Sequence, residues 1–381
     1  MEKESAIGAT LTEAADQRPD EERIYVATQW QLMWWRLRRH KLAMGAAVVL
    51  IIFYLSVIFA DFLATSDPTV SEAQLGLMSP QQIHLFDGFK PGLYVYAVEG
   101  RRDPVSFKRV YQTNPDVKVP IVFFAKGYEY KMFGFIPMNR HLIGTKDVPA
   151  GEALFILGTD LQGRDLWSRL MLATRISMTI GLVSVVMSLF LGVLLGGISG
   201  YYGGWIDTVI QRIIELLRSI PTIPLWMGIA ASLPHDWSII KIYFAITIII
   251  AIIGWTELAR VVRGRFLSLR EEDFVTAAEL SGAGQMRIIF RHMVPSFLSH
   301  IIAATTLAFP AIIIAETSLS FLGLGMRPPA ISWGVLLQAA QQVQAVALTP
   351  WLLIPAIPVI LAVLAFNFLG DGLRDAADPY G

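Results

Sequence analysis

Residues 274–295 read FVTAAELSGAGQMRIIFRHMVP, a polar, arginine-bearing stretch lodged between two of the most apolar runs of the chain. Glu271, Glu272 and Asp273 stand just before it, where acidic side chains favour the positive end of a short helix running to Leu280. Gly282 suits the left-handed residue that closes such a helix. QMRIIFRHM is a second helical run, and Pro295 falls near the first turn of the next apolar helix, where its missing donor costs little. Ala277 and Ala278 are small, so this side of the short helix can enter a groove on another protein. By itself a helical hairpin between apolar runs is also plain topology.

The surroundings decide where this hairpin lies. Hydrophobic residues make up 54% of the 381 positions and charged residues only 16%, below the quarter usual in soluble domains. A bilayer core of about 30 Å takes roughly 20 apolar residues in a helix. Six such runs are predicted, at 42–60, 176–200, from 206 to before 235, 239–256, 293–315 and 350–370. The third and fourth are less clean, the third because it starts amphipathically and the fourth because Lys241 sits at its edge. Pro221, Pro224, Pro310, Pro355 and Pro358 fall inside spans, where they remove backbone donors and favour kinks.

Basic residues set the orientation. Arg36, Arg38, Arg39 and Lys41, then Arg212 and Arg218, then Arg260, Arg263, Arg265, Arg270, Arg287 and Arg291, and finally Arg374 fall on one side. Only Lys241 and Arg327 fall on the short loops of the other. Both termini are expected in the cytoplasm, and 274–295 with them. Residues 1–28 read as a disordered cytoplasmic tail without a secretion signal. Trp30, Trp34 and Trp35 beside their arginines read as an interfacial helix leading into the first span, which completes a unit over 29–60.

Several classes are excluded. The 31 basic and 31 acidic residues balance, unlike the one-signed field of a nucleic-acid binder. With no cysteine there is no disulfide framework, thiolate metal site or cysteine nucleophile. No HExxH stands anywhere, nor any Gly-Lys pair, so the chain has no phosphate loop and no ATPase site of its own.

Residues 274–295 resemble the cytoplasmic loop of ABC importer permeases, whose pattern is E-A-A, three residues, Gly, nine residues, I-x-L-P. Thr276, Ala277, Ala278 and Gly282 occupy its first part, and His292, Val294 and Pro295 its second. Thr276 stands in place of the Glu and His292 in place of the Ile, as in the oligopeptide/dipeptide branch, also called peptide/nickel. GTDLQGRD (158–165), GYYGGWID (200–207), SLSFLGLGMRPPAISWG (318–334) and NFLGDGLRDAADP (367–379) are similar to further signatures of that branch. Asp160 is also readable as a helix cap.

The resemblance implies an all-α polytopic membrane protein with six transmembrane helices in the type I ABC importer permease fold. It would work in the bacterial inner membrane beside a second homologous permease. Two ATPase subunits or domains would carry ATP and Mg on one side, and an extracytoplasmic solute-binding protein would deliver substrate on the other. Thr276, Ala277, Ala278, Gly282, His292 and Pro295 would then couple the permease to ATPase closure, within a loop over 260–295 of a permease core over 158–381. Oligopeptides or dipeptides are the first expectation for the substrate; oligosaccharides or other small solutes are the alternative.

Two rival classes have local support. Gly197, Ile198, Ser199 and Gly200 spell the GxSG of rhomboid intramembrane proteases, with His300 as a partner, though packing in a glycine-rich span explains the motif as well. A secondary transporter would show inverted repeats and midplane charges, and no repeat is visible.

Two features stand apart. Between the first two spans, 61–157 carries LYVYAV, KVPIVFFAKG and YEYKMFGFI, aromatic, β-favouring runs separated by turn residues. They predict a β-rich extracytoplasmic insertion, either a docking element for the binding protein or a structural cap. Glu316, in IIIAETSLSFLGLG, is a carboxylate at the end of the fifth run and a candidate pathway residue; the competing expectation is that nearby hydroxyls and backbone donors hold it as scaffold.

Overall fold

The computed structural model describes residues 29–87, 90–104, 109–145, 154–234, 236–341 and 347–377. The expected tail, 1–28, lies outside the described residues. The chain opens with helix α1 (Gln29–Arg39), whose Met33 and Leu37 pack inward while Trp30 and Trp34 are exposed. His40 ends it and caps the next helix, its Nδ1 accepting from Ala43 N at 3.1 Å. Helix α2 (Lys41–Ile58) is apolar on all sides, and a single turn, α3 (Ala60–Leu63), follows.

Four antiparallel strands come next: β1 (His84–Asp87), β2 (Lys90–Arg102), β3 (Arg109–Met132) and β4 (Ile136–Thr145), in the spatial order β1-β2-β3-β4. Pairing Val95 with Val119 sets one face of β2 and β3 inward, over a small core with Ala97, Ile121 and Leu154. Irregular register interrupts the ladders between Tyr96 and Ala97 and between Lys126 and Tyr130.

Helix α4 (Leu166–Tyr202), 37 residues long, is the axis of the bundle. Asp165 starts it by accepting from Ser168 N at 2.9 Å and Trp167 N at 3.4 Å. Asp160 is not the cap: its Oδ1 accepts from Gln162 N at 2.8 Å and Arg164 N at 3.1 Å, closing the loop before the helix. After Gly203, α5 (Gly204–Ser219) and α6 (Thr222–Ala231) meet at a bend of 86° beside Pro221. There α5 ends, because a residue before proline is forced out of the helical region.

Helix α7 (Ile239–Leu269) runs well past the expected end of the fourth span, carrying Glu257, Arg260, Arg263 and Arg265 on a continuous helix. Helix α8 (Asp273–Leu280) follows, then a run with a π-helical turn, Ile288–Met293, that feeds α9 (Leu298–Phe321). Pro310 lies inside α9. Helix α10 (Trp333–Gln338) and helix α11 (Ala356–Ala377) complete the chain. Among the described residues five stretches are long and apolar enough to cross a membrane, and the bent α5–α6 pair makes a sixth if counted as one span. The expected third run, where Pro221 and Pro224 favour a kink, is a pair of helices broken at Pro221.

Serine and glycine recur every fourth residue along α4, at Ser184, Ser188, Gly192, Gly196 and Gly200, forming one stripe along its axis. This stripe faces α7. Ser184 Oγ donates to Thr247 O and Ser188 Oγ to Ala251 O, each at 3.3 Å. A side chain at Gly196 would meet the Ala259 backbone at 2.5 Å, and one at Gly200 the Arg263 carbonyl at 2.8 Å. Small residues let two membrane helices approach to backbone contact where hydrophobic driving force is weak. On another side of α4, Trp333 is fully buried among Ala173, Met178, Leu50 and Phe366, and the Phe309 and Phe366 rings stack at 4.2 Å.

Candidate functional site

Helix α8 is too short to be stable alone; its position comes from three fastenings. Val275 is fully buried and packs with Phe266 at the end of α7, Ile288, Ile289 and Met293. Glu279 Oε1 accepts from the Tyr201 hydroxyl at 2.8 Å, and Gln285 Oε1 from the Tyr202 hydroxyl at 2.7 Å, so the end of α4 grips both arms of the hairpin. At the helix end, Ala283 N donates to Ala278 O at 3.1 Å and Gly282 N to Glu279 O at 2.9 Å. Gly282 adopts φ +77°, a left-handed conformation that glycine enters without penalty.

The same fold turns other residues outward. Thr276 and Ala277 are exposed and Ala278 is half-buried. Leu280 is 85% exposed, an unusual position for a leucine at the tip of an anchored hairpin, and Phe274, Met286 and Phe290 are exposed as well. The second arm is not the plain helix expected: residues 288–293 form a π-helical turn, which puts His292 half-buried and Pro295 exposed just before α9. The six predicted loop residues therefore share one hairpin, with Thr276, Ala277 and Gly282 at its surface.

A second fastening runs from α5 to α7. Asp207 accepts from two guanidinium nitrogens of Arg263, Nε at 2.5 Å and Nη2 at 2.6 Å, and from Ser199 Oγ at 2.5 Å. Ser199 is wholly buried in this arrangement, with Gln211 Nε2 at 3.1 Å as its other partner. His300 lines a cavity elsewhere. The GxSG is a packing motif here, not a serine–histidine pair.

That cavity, about 1000 Å³, lies between the bent α5–α6 pair, α7 and α9. Its wall is mainly Ile and Ala side chains. An Arg218–Glu257 ion pair, His300 and Arg374 supply its charged and titratable groups, and Thr222, Thr256 and Ser318 its hydroxyls. Trp226 also lines it, with its indole N–H buried and without a partner among the described residues.

Glu316 is 1% exposed and not in that wall, although its neighbours Ala315 and Ser318 are. Its Oε2 accepts from Ser177 Oγ on α4 and its Oε1 from Ser320 Oγ on α9, each at 2.9 Å. Ser177 Oγ also receives Trp333 N at 3.1 Å, and Ser320 Oγ receives Met326 N at 3.0 Å. One carboxylate thus joins two long helices to the turn before α10.

The tyrosine clamp and the Asp207–Arg263 pair escape a reading of the sequence. Tyr201, Tyr202 and Asp207 lie inside GYYGGWID, but their partners are 78, 83 and 56 positions away.

Two family descriptions match. Residues 192–380 match the binding-protein-dependent transport system inner membrane component, and residues 28–82 the N-terminal transmembrane domain of oligopeptide transport permease C. The chain is similar to a putative peptide permease protein of Brucella suis, 38% identical over 245 residues, 64% of this chain and 78% of that one. It is also similar to an oligopeptide transport system permease of Haemophilus influenzae, 40% identical over 233 residues, 61% of this chain and 72% of that one. A glutathione transport system permease of Pectobacterium atrosepticum is 39% identical over 224 residues, 58% of this chain and 72% of that one. An anchored cytoplasmic-type hairpin on a bundle of apolar helices, and relatives matched over most of their length, lead to one conclusion: the chain belongs to the family of binding-protein-dependent transport system inner membrane components, as a non-enzymatic permease of an ABC importer whose ATPase resides in separate subunits.

Proposed function

We propose that this chain forms half of a translocation pathway for oligopeptides or dipeptides, beside a second homologous permease and above two ATPase subunits that bind ATP and Mg. The hairpin centred on α8 is the coupling element, and Leu280 carries that reading. A leucine held in the open by a clamped helix end suits insertion into an apolar groove of an ATPase subunit. Thr276, Ala277 and Ala278 give the approach its small profile, and Gly282 sets its angle. Because Tyr201 and Tyr202 tie the hairpin to α4, and α4 packs along α7, a push on α8 reaches the cavity wall through helices in backbone contact. Different affinities of open and closed ATPases for two permease states would supply the driving free energy.

The cavity supports a peptide-like cargo. Its apolar wall leaves cargo side chains uncontested, while the Arg218–Glu257 pair, His300 and Arg374 offer polar contacts to a peptide's backbone and termini. Glu316 serves as scaffold in this reading, since both its oxygens are bonded away from the cavity. The α5–α6 pair counts as the sixth span, the sheet over 84–145 stands on the side that meets the binding protein, and both termini are cytoplasmic.

The deciding experiment reconstitutes the permease pair, the ATPases and the binding protein in liposomes. Leu280→Asp should abolish substrate-stimulated ATP hydrolysis while membrane insertion stays normal. Wild-type stimulation would remove the coupling assignment. Mass spectrometry of the ligand carried by the binding protein tests the substrate, and an oligosaccharide there would overturn the peptide reading.

A further inference from the structure

The exposed face of α2 runs up one side through Val48, Ile52 and Leu55, spaced by four and three residues. Phe59 and Phe62 continue the same spacing past the helix end. These two rings are met by the β3–β4 hairpin: Phe133 stands 6.3 Å from Phe59 edge to face, and Phe124 6.1 Å from Phe62. Beyond Phe133, Phe135 lies 6.3 Å further on and is 73% exposed, the highest exposure among these rings. The lipid-facing stripe of the first span therefore passes without interruption onto the tip of a β-hairpin.

The level of this contact is fixed by charge. From Leu42 to Ala60 the chain has none, and Asp61, the first, is paired with Arg175 at 2.7 Å. Phe59 thus marks the edge of the hydrocarbon, and Phe133 beside it shares that depth. Phe124, 60% exposed, is held outward in a left-handed conformation, φ +55°, with its carbonyl taken by Arg140 Nη1 at 3.0 Å. Exposed Lys126 and Lys131 come from the same strand. Aromatic tips with basic residues set behind them suit a membrane–water interface, where rings sit at headgroup level and lysines reach phosphates. In open water the same cluster would be a contiguous apolar patch with nothing to cover it.

We propose that the β3–β4 hairpin is a membrane anchor, its Phe133–Gly134–Phe135 tip seated in the interfacial zone of the leaflet beside the first span. The sheet is then held on two sides, by lipid at this tip and by the bundle where His141 Nδ1 meets the Asp61 carbonyl at 2.8 Å. This goes beyond the transport reading and does not depend on which solute is carried.

The chain has no cysteine, so one introduced residue gives one label. Phe135→Cys carries a nitroxide at a position whose only aromatic neighbour among the described residues is Phe133; Ile136→Cys is a second site at the tip. Leu55→Cys is the lipid reference and Val110→Cys, at the far end of β3, the water reference. Collision with oxygen and with a nickel chelate is read in the assembled complex in liposomes, with uptake measured on the same vesicles. The anchor requires oxygen to exceed nickel at both tip sites, shifting the ratio from the Val110→Cys value towards that of Leu55→Cys. A ratio equal to the Val110→Cys value overturns it. So does shielding from both reagents, which would mean that a protein, either the partner permease or the binding protein, occupies the tip. Intact uptake with a water-like ratio would sink the anchor alone and leave the transport reading standing.

Discussion

At the scale of single residues, Gly282 and Glu316 separate the proposed coupling from scaffolding. Gly282 meets no atom within 4 Å where a Cβ would stand, so a substitution there is felt only through its φ of +77°. Gly282→Val is expected to cost roughly 1–2 kcal/mol locally, enough to shift the hairpin without unfolding the bundle. Substrate-stimulated ATPase activity should fall about tenfold, the equivalent of ~1.4 kcal/mol, while the fraction inserted in the membrane is unchanged. Glu316 behaves oppositely. Glu316→Ala leaves the Ser177 and Ser320 hydroxyls without their acceptor in a buried site, a loss of roughly 1–3 kcal/mol, readable as a lower Tm of the detergent-solubilised complex. Glu316→Gln keeps the shape and an acceptor oxygen, so cationic and neutral peptides should be taken up at equal relative rates; selective slowing of the cationic ones would return Glu316 to the pathway.

Among elements, the contact of α4 with α7 would carry the proposed push, and its tolerance for added volume is small. Gly200→Leu would drive a side chain against the Arg263 carbonyl and the Cβ of Phe266, 2.8 Å and 2.6 Å from the position of a new Cβ. Backbone cannot yield as a flexible side chain can, so a loss of about 1–3 kcal/mol or more is expected, with a fall in Tm larger than for the same change at Gly45, where nothing lies within 4 Å. Of the stripe only the end was read from the sequence, where packing already explained the glycine-rich 197–200. The bend between α5 and α6 was half legible, because Pro221 announces a break but not an angle of 86°. The π-turn at 288–293 was not legible, since IIFRHM satisfies an ordinary helical pattern and only the packing of Ile288, Ile289 and Met293 against Val275 selects the wider turn.

For the whole molecule, the orientation is testable because the chain is cysteine-free. A cysteine placed at Arg212, exposed and outside the hairpin, should react with an impermeant maleimide only after the cytoplasmic side is opened, whereas one at Val110 should react in intact cells; the reverse pattern would invert every assignment of inside and outside. Composition and charge determine the class and the approximate places of the spans, because apolar runs of about 20 residues have few destinations other than a bilayer. The loop was read through its resemblance to the importer-permease pattern, which is local in the chain from Thr276 to Pro295. Partners distant in sequence were not: Asp207 with Arg263, Tyr201 with Glu279, and Glu316 with Ser177. Nothing in a linear pattern says which hydroxyl will answer a carboxylate 139 positions away. That choice belongs to the packing of α4 against α7 and α9, where a buried polar atom must take whichever partner the helix crossing brings within reach.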